Sequence, residues 1–204
     1  MPRKHAAPDN GQAVLSGIGS GDEFLPADLC LTMERIMVRT RLMEERMIKM
    51  SKSGEGYFWI GGPGEEAFNA ALGLQVKKGE GPPYDFLHLH YRNSATMVAM
   101  GMSLIDGIRQ MAMTAADPNS MGRNFPCHFA RKEWNVIPIS SVIEVQFAMA
   151  AGSSSSVNCP CKSCGRWFNP SRGLSGTSFI SVLGHATTSV FLSSANHRPA
   201  LLPT

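Results

Sequence analysis

Leu29, Met33, Ile36, Met37, Met43, Met47 and Met50 recur at three- and four-residue steps, with Arg and Glu between them. This period marks one apolar face of an α-helix. Pro26 precedes it, Asp28 is the expected N-cap and Gly54 the expected stop. The Met-rich stripe reads as a packed face rather than an adaptable docking surface. Tyr57-Phe58-Trp59-Ile60 is a short apolar run expected to be a buried strand, and Gly61-Gly62-Pro63-Gly64 turns the chain after it. Glu65 and Glu66 then open an Ala-rich helix over 67–74, where the helix dipole favours acidic residues. Asp85 to His90 is expected to be extended, and Tyr91-Arg92 ends that segment. Further helices are expected over 93–100, from a capping-box-like Ser103/Asp106 pair to Ala115, and from Ile143. Asp117 to Ser120 is a turn and Val136 to Ser140 a strand. Helices alternating with short strands predict an α/β fold.

Composition adds a boundary. All 16 acidic residues precede Ser153, and Glu144 is the last. Fifteen basic residues accompany them, for a net charge of −1, whereas the last 52 residues carry four basic residues, no acidic ones and 12 Ser. The break divides the chain into a flexible arm over 1–25, a domain over 26–152 and a tail over 153–204. A net charge of +3 argues against nucleic acid as a partner. No apolar run reaches the roughly 18 residues of a membrane span, and the polar start lacks a signal-peptide core. The expected location is the cytoplasm. The Gly17–Gly21 cluster lacks the flanking strand and helix of a phosphate cradle and reads as linker. Cys159, Cys161 and Cys164, with His185 or His197, have zinc-compatible chemistry but not the paired spacing of zinc sites.

Four segments in this order carry a resemblance: YFWIGGPGEEA (57–67), FLHLHYRN (86–93), SMGRNFPCHF (120–129) and NVIPISSVIEVQFAMAAG (135–152). Together they resemble the alpha subunit of the decarboxylating component of 2-oxo acid dehydrogenase complexes, from about Leu29 to Gly152. The GEE in the first segment is closer to branched-chain enzymes than to pyruvate enzymes. The resemblance implies the front part of a thiamine-diphosphate-binding fold, a parallel sheet flanked by helices, incomplete here. It also implies a beta subunit with which a heterotetramer forms, and a lipoyl-bearing acyltransferase component that accepts the acyl group. The cofactor supplies the carbon nucleophile and electron sink for decarboxylation; the protein positions and tunes it.

Residue by residue, Tyr91-Arg92 matches the pair that contacts the cofactor's diphosphate. A guanidinium fork suits phosphate oxygens, and a phenol donates one more bond. Ser141 to Ile143 matches the stretch whose backbone faces the aminopyrimidine ring, so Ser141 and Ile143 are expected cofactor contacts. His128 matches an active-site histidine and is the expected catalytic residue. A lone histidine is also commonly a hydrogen-bonded structural residue. His88 and His90 would share one face of an extended segment, without a third ligand beside them. The family's potassium-binding groups match Ser140, Val142 and Gln146, but one hydroxyl ligand falls on Val145, so no metal is assigned.

Intact relatives hold Mg²⁺ with a G-D-G-like turn and a downstream Asn. Mg²⁺ binding uses one or two carboxylates together with phosphate oxygens, and the tail after Gly152 has no carboxylate. The tail is therefore expected to lie outside the family pattern, disordered or displaced by a frameshift. Two functions follow: a 2-oxo acid dehydrogenase alpha-subunit fragment, inactive as this chain, or a non-catalytic interaction fragment that binds a beta subunit. Pyruvate, branched-chain acids and acetoin remain open as the related substrate.

Overall fold

A computed structural model describes residues 25–142, 144–157, 178–182 and 189–193, with side chains described up to Ser153. The arm over 1–24, Ile143, the cysteine cluster, His185 and His197 lie outside the described residues.

The first helix, α1 (Ala27–Ser53), follows the apolar period. Leu29, Ile36, Met43, Met47 and Met50 are buried in it, and Gly54 ends it at φ 78°, the left-handed cap glycine tolerates best. The N-cap is Pro26 rather than Asp28, which lies in the first turn and meets the positive end of the dipole. Two polar residues, Thr40 and Glu44, share the buried face. α2 (Glu66–Gln75) begins where the glutamates predicted. Glu66 accepts from the Gly64 N–H at 2.8 Å and from Arg41 at 2.7 Å, satisfying the helix start.

Tyr57–Ile60 forms no strand. The run crosses the surface with Tyr57 61% and Phe58 66% exposed. Only Trp59 and Ile60 turn inward, against the core. Val136–Ser140 is likewise not a strand: it makes isolated bridges at Val136, to Leu87 and to Arg131, and a backbone bond from Ile139 to the Phe129 carbonyl at 3.3 Å. β1 (Phe86–His88) is fully buried. Its Leu87 exchanges backbone hydrogen bonds with Asn135 and Ile137 on one edge, both 3.0 Å. The other edge pairs in parallel with β2 (Ser178–Val182), which pairs antiparallel with β3 (Ser189–Ser193). The described strands thus make a small mixed sheet in the order β1-β2-β3, and β2 and β3 lie beyond Gly152.

α3 (Ser94–Ala99) and α4 (Leu104–Met111) pack with α1 and α2 around a core of Met47, Leu87, Leu89, Met97, Met111 and Phe129. α4 ends at Met111, short of Ala115, and Ser103 makes no side-chain cap bond. Asp117 does build the expected turn, accepting from the backbone N–H groups of Asn119 and Ser120, each at 2.9 Å. α5 (Val145–Val157) starts two residues later than the sequence suggests.

Candidate functional site

Burial brings the end of β1 and two later loops together. After β1 the chain turns tightly: the Asn93 N–H returns to the His90 carbonyl at 3.0 Å, and the Asn93 side chain accepts from the His90 N–H at 2.6 Å. Asn69 of α2 holds this turn from behind. It hydrogen-bonds Asn93, donates to the Arg92 carbonyl at 3.3 Å and accepts from Thr96 at 2.9 Å. Gly62 fits against the same turn, since a Cβ there would lie 2.7 Å from Arg92 Cβ and its carbonyl oxygen. The turn can therefore present Tyr91 and Arg92 only because position 62 has no side chain.

Tyr91 is nearly buried. Its ring stacks on His128 with centroids 6.1 Å apart and planes 19° apart, and the Arg92 guanidinium lies 4.9 Å from the Tyr91 ring centre. The guanidinium faces the Glu65 carboxylate at a loose 3.7 Å from Nε, while its Nη1 is buried with no hydrogen-bond partner. A buried, unmatched guanidinium nitrogen is costly unless an acceptor arrives. This corner fits an anionic group such as a diphosphate.

His128 is held at both ring nitrogens. Nδ1 lies 3.0 Å from the Pro126 carbonyl oxygen, and Nε2 lies 2.5 Å from Ser141 Oγ. A carbonyl only accepts, so Nδ1 carries the proton. In the neutral ring Nε2 then accepts from the Ser141 hydroxyl, and Nε2 is the nitrogen free to exchange a proton. Ser141 is exposed and His128 buried, so Ser141 stands between that nitrogen and solvent. Cys127, the preceding residue, adopts φ 61°, an uncommon conformation for a residue with a side chain. The Gln110 amide secures it, accepting from the Cys127 N–H at 3.1 Å and donating to the His128 carbonyl at 3.0 Å.

Four of the five residues singled out in sequence, Tyr91, Arg92, His128 and Ser141, thus share one corner. Ile143 falls outside the described residues. His88 is buried with neither ring nitrogen hydrogen-bonded, and burial lowers its pKa to about 4. No group of three or more His, Cys, Asp or Glu suited to a metal occurs among the described residues. Sequence reading missed Glu44, Asn69 and Gln110, which touch the site-bearing loops from the core side. The one available signal was the Thr40/Glu44 pair, a polar i, i+4 step inside an apolar stripe.

A cleft of about 590 Å³ lies elsewhere, lined by Phe86, Arg131, Lys132 and Val136 among others, and includes none of these site residues. Its cations are already matched, Arg131 by Asp106 at 2.8 Å and Lys132 by Glu80 at 3.3 Å. We assign it no ligand.

Residues 34–162 match the family described as the dehydrogenase E1 component, and the chain belongs to that family, whose members use thiamine diphosphate. The match passes Gly152 by ten residues. The chain is 32% identical over 120 residues to the 2-oxoisovalerate dehydrogenase subunit alpha of Bacillus subtilis, covering 59% of this chain and 35% of that protein. It is 30% identical over 144 residues to the protein of the same name in Pseudomonas aeruginosa, covering 71% and 33%. A mitochondrial 2-oxoisovalerate dehydrogenase subunit alpha of Caenorhabditis elegans is 26% identical over 135 residues, covering 66% and 30%. The chain therefore spans about a third of the length of these relatives.

Proposed function

We propose that this chain supplies the alpha-subunit half of a thiamine-diphosphate site in a branched-chain 2-oxo acid dehydrogenase. The convergence of Tyr91, Arg92, His128 and Ser141, with Arg92 Nη1 buried and lacking an acceptor, carries this reading. The family match and the names of the relatives support the reaction class and the substrate type. Arg92 and Tyr91 hold the diphosphate, the guanidinium as a charged fork and the phenol as a donor. Ser141 and Ile143 would contact the aminopyrimidine ring. When bound, the cofactor supplies the carbon nucleophile and electron sink for decarboxylation. His128, with Nδ1–H fixed on Pro126, handles a proton at Nε2 once Ser141 rotates away.

On this reading β1 and its parallel partner β2, flanked by helices, belong to the front part of a thiamine-diphosphate-binding fold working in the cytoplasm, although the described sheet is mixed rather than parallel. A beta subunit completes the site and the heterotetramer, and a lipoyl-bearing acyltransferase component receives the acyl group. Among the described residues no helix is long and apolar enough to cross a membrane. The Mg²⁺ of intact relatives needs a carboxylate that the segment after Gly152 lacks. The segment after Gly152 still contributes to the fold, since β2 pairs with β1 and the family match runs to residue 162, but without that carboxylate we expect no turnover by this chain alone. A second reading, an interaction fragment that binds a beta subunit without cofactor, is favoured by four exposed large apolar residues in the loops bearing the site, Tyr57, Phe58, Phe125 and Val142.

Calorimetric titration with thiamine diphosphate, with and without Mg²⁺ and a co-expressed beta subunit, separates the two. The first reading expects saturable binding that Arg92→Ala weakens by roughly a hundredfold, a loss of about 3 kcal/mol. Beta-subunit association with no cofactor binding under any condition supports the second. Mg²⁺-dependent tightening by this chain alone would show that the metal site is not lost.

A further inference from the structure

Glu44 lies on the buried face of α1, 1% exposed, where a methionine or leucine would cost less. Three separate segments send a group to it. Ser94 donates to Oε1 at 2.6 Å, Trp59 Nε1 donates to Oε2 at 2.8 Å, and the Gly62 N–H also donates. Cys127 Sγ lies 4.0 Å from Oε1 and 3.6 Å from Ser94 Oγ. Gly61 leaves the space the carboxyl occupies, since a Cβ there would collide with it.

Two of these segments carry Tyr91, Arg92 and His128, and the third packs against Arg92. Gly62 packs on Arg92, Ser94 follows Arg92 by two residues, and Cys127 precedes His128. Glu44 reaches the neighbours of Arg92 and His128 rather than those residues themselves. A packed apolar residue could fill this volume, but it could not receive the donors, Trp59 and Gly62 from one loop and Ser94 from another. Each donor would then be buried unpaired, which costs more than the lost contact.

The geometry points to Glu44 as a positioning residue: one buried carboxyl ties the 57–64 loop, the 90–94 turn and the 125–128 loop together, fixing Arg92 and His128 relative to each other. The proposal rests on the thiamine-diphosphate reading for its purpose but not for its geometry. Gln can take over the role. Its carbonyl oxygen accepts from Trp59 and Gly62, and its amide donates to Ser94 Oγ, whose own proton turns to Cys127 Sγ. Ala cannot.

The test uses the full 204-residue chain with Glu44→Ala, Glu44→Gln and Ser94→Ala. Each variant is checked for a cooperative unfolding transition. The His128 ring nitrogens are then followed by long-range ¹H–¹⁵N NMR, and thiamine diphosphate and inorganic pyrophosphate are titrated separately. Glu44→Ala is expected to move the His128 nitrogen resonances and weaken both anions by roughly ten- to a hundredfold, because small displacements of binding groups are costly. Glu44→Gln is expected to restore both readouts. Unchanged His128 resonances in folded Glu44→Ala overturn the proposal whatever the anion affinity, as does a Gln variant that behaves like Ala. If Glu44→Ala does not fold, Ser94→Ala and Glu44→Gln decide: a His128 shift in the first and none in the second supports the tie, and any other pattern overturns it. If the wild type binds neither anion, the cofactor reading falls, while the His128 resonances still test the tie.

Discussion

Two apolar runs of similar length look alike in sequence and fold differently. Leu87 to Tyr91 is buried throughout, with Leu87 and Leu89 fully inaccessible. Tyr57 to Ile60, richer in β-favouring residues, leaves Tyr57 and Phe58 in solvent and makes no strand. The difference is in the backbone partners. Leu87 finds acceptor and donor on the 135–137 segment, and its neighbours pair with β2. Tyr57 has one backbone bond, to the Met111 carbonyl at 3.3 Å, and no parallel neighbour. Hydrophobicity asks for burial; a strand also needs an open edge at the right place, and that edge is set by other parts of the chain.

The largest test of this comparison is Leu87→Ala against Phe58→Ala. The first should lower unfolding free energy by about 2–5 kcal/mol, because a closely packed site relaxes only partly around a cavity. The second should stay within roughly 0.5 kcal/mol, as for an exposed residue away from special contacts. Urea midpoints measure both, and equal losses would erase the distinction between the runs.

A second test uses pH, because the buried run carries His88. Burial holds its imidazole near pKa 4, against an ordinary 6.5. Between those values the unfolded chain binds a proton that the folded chain refuses. Stability from His88 is therefore complete above pH 6.5 and falls as pH drops, by about 3 kcal/mol in total. Glu44 works the other way. Burial raises its pKa above the ordinary 4.5, although its Ser94, Trp59 and Gly62 donors oppose the shift and the Glu66 charge adds to it. The folded chain keeps that proton to higher pH, so the Glu44 contribution is present at low pH and is lost as pH rises through the raised value. His88→Phe should remove the acid-side loss and expose the opposite slope. Glu44→Gln should leave only the His88 slope. Identical pH dependence in wild type and His88→Phe would show that His88 is not the group responsible.

A third test lies at Trp59, the half-buried residue of the Tyr57–Ile60 run. Trp59→Phe keeps the ring but deletes the donor to Glu44, and should cost about 1–2 kcal/mol. Combined with Glu44→Ala the two losses should not add, because the residues share one contact. Strict additivity would show that Trp59 is held by packing alone.

The helices were legible because their period is local. Leu29, Ile36, Met43, Met47 and Met50 announce α1, and Gly54 announces its end. The Glu65-Glu66 start and the Asp117 turn were legible for the same reason: the stabilising group lies within a few residues of what it stabilises. Tyr91, Arg92, Ser141 and His128 were found through family resemblance, not from chemistry visible in the bare sequence. Their encounter spans 50 residues and leaves no local period. Glu44 was hidden for a further reason. Beside Glu45, Arg41 and Arg46 it reads as part of a charged surface, and only its placement on the Met face reveals it as buried.

By itself, then, the sequence determined which segments are helical, that position 62 lies in a glycine turn, and which family the 57–152 motifs resemble. Those features depend on side-chain period, backbone freedom and short-range hydrogen bonding. The tertiary structure decided which of two apolar runs becomes a strand, which histidine nitrogen carries its proton, and that a glutamate in the core receives groups from the loops beside Arg92 and His128. Each of those depends on a partner far along the chain, and burial makes the choice: away from water, a donor or acceptor must find its match in whatever segment the fold has placed beside it.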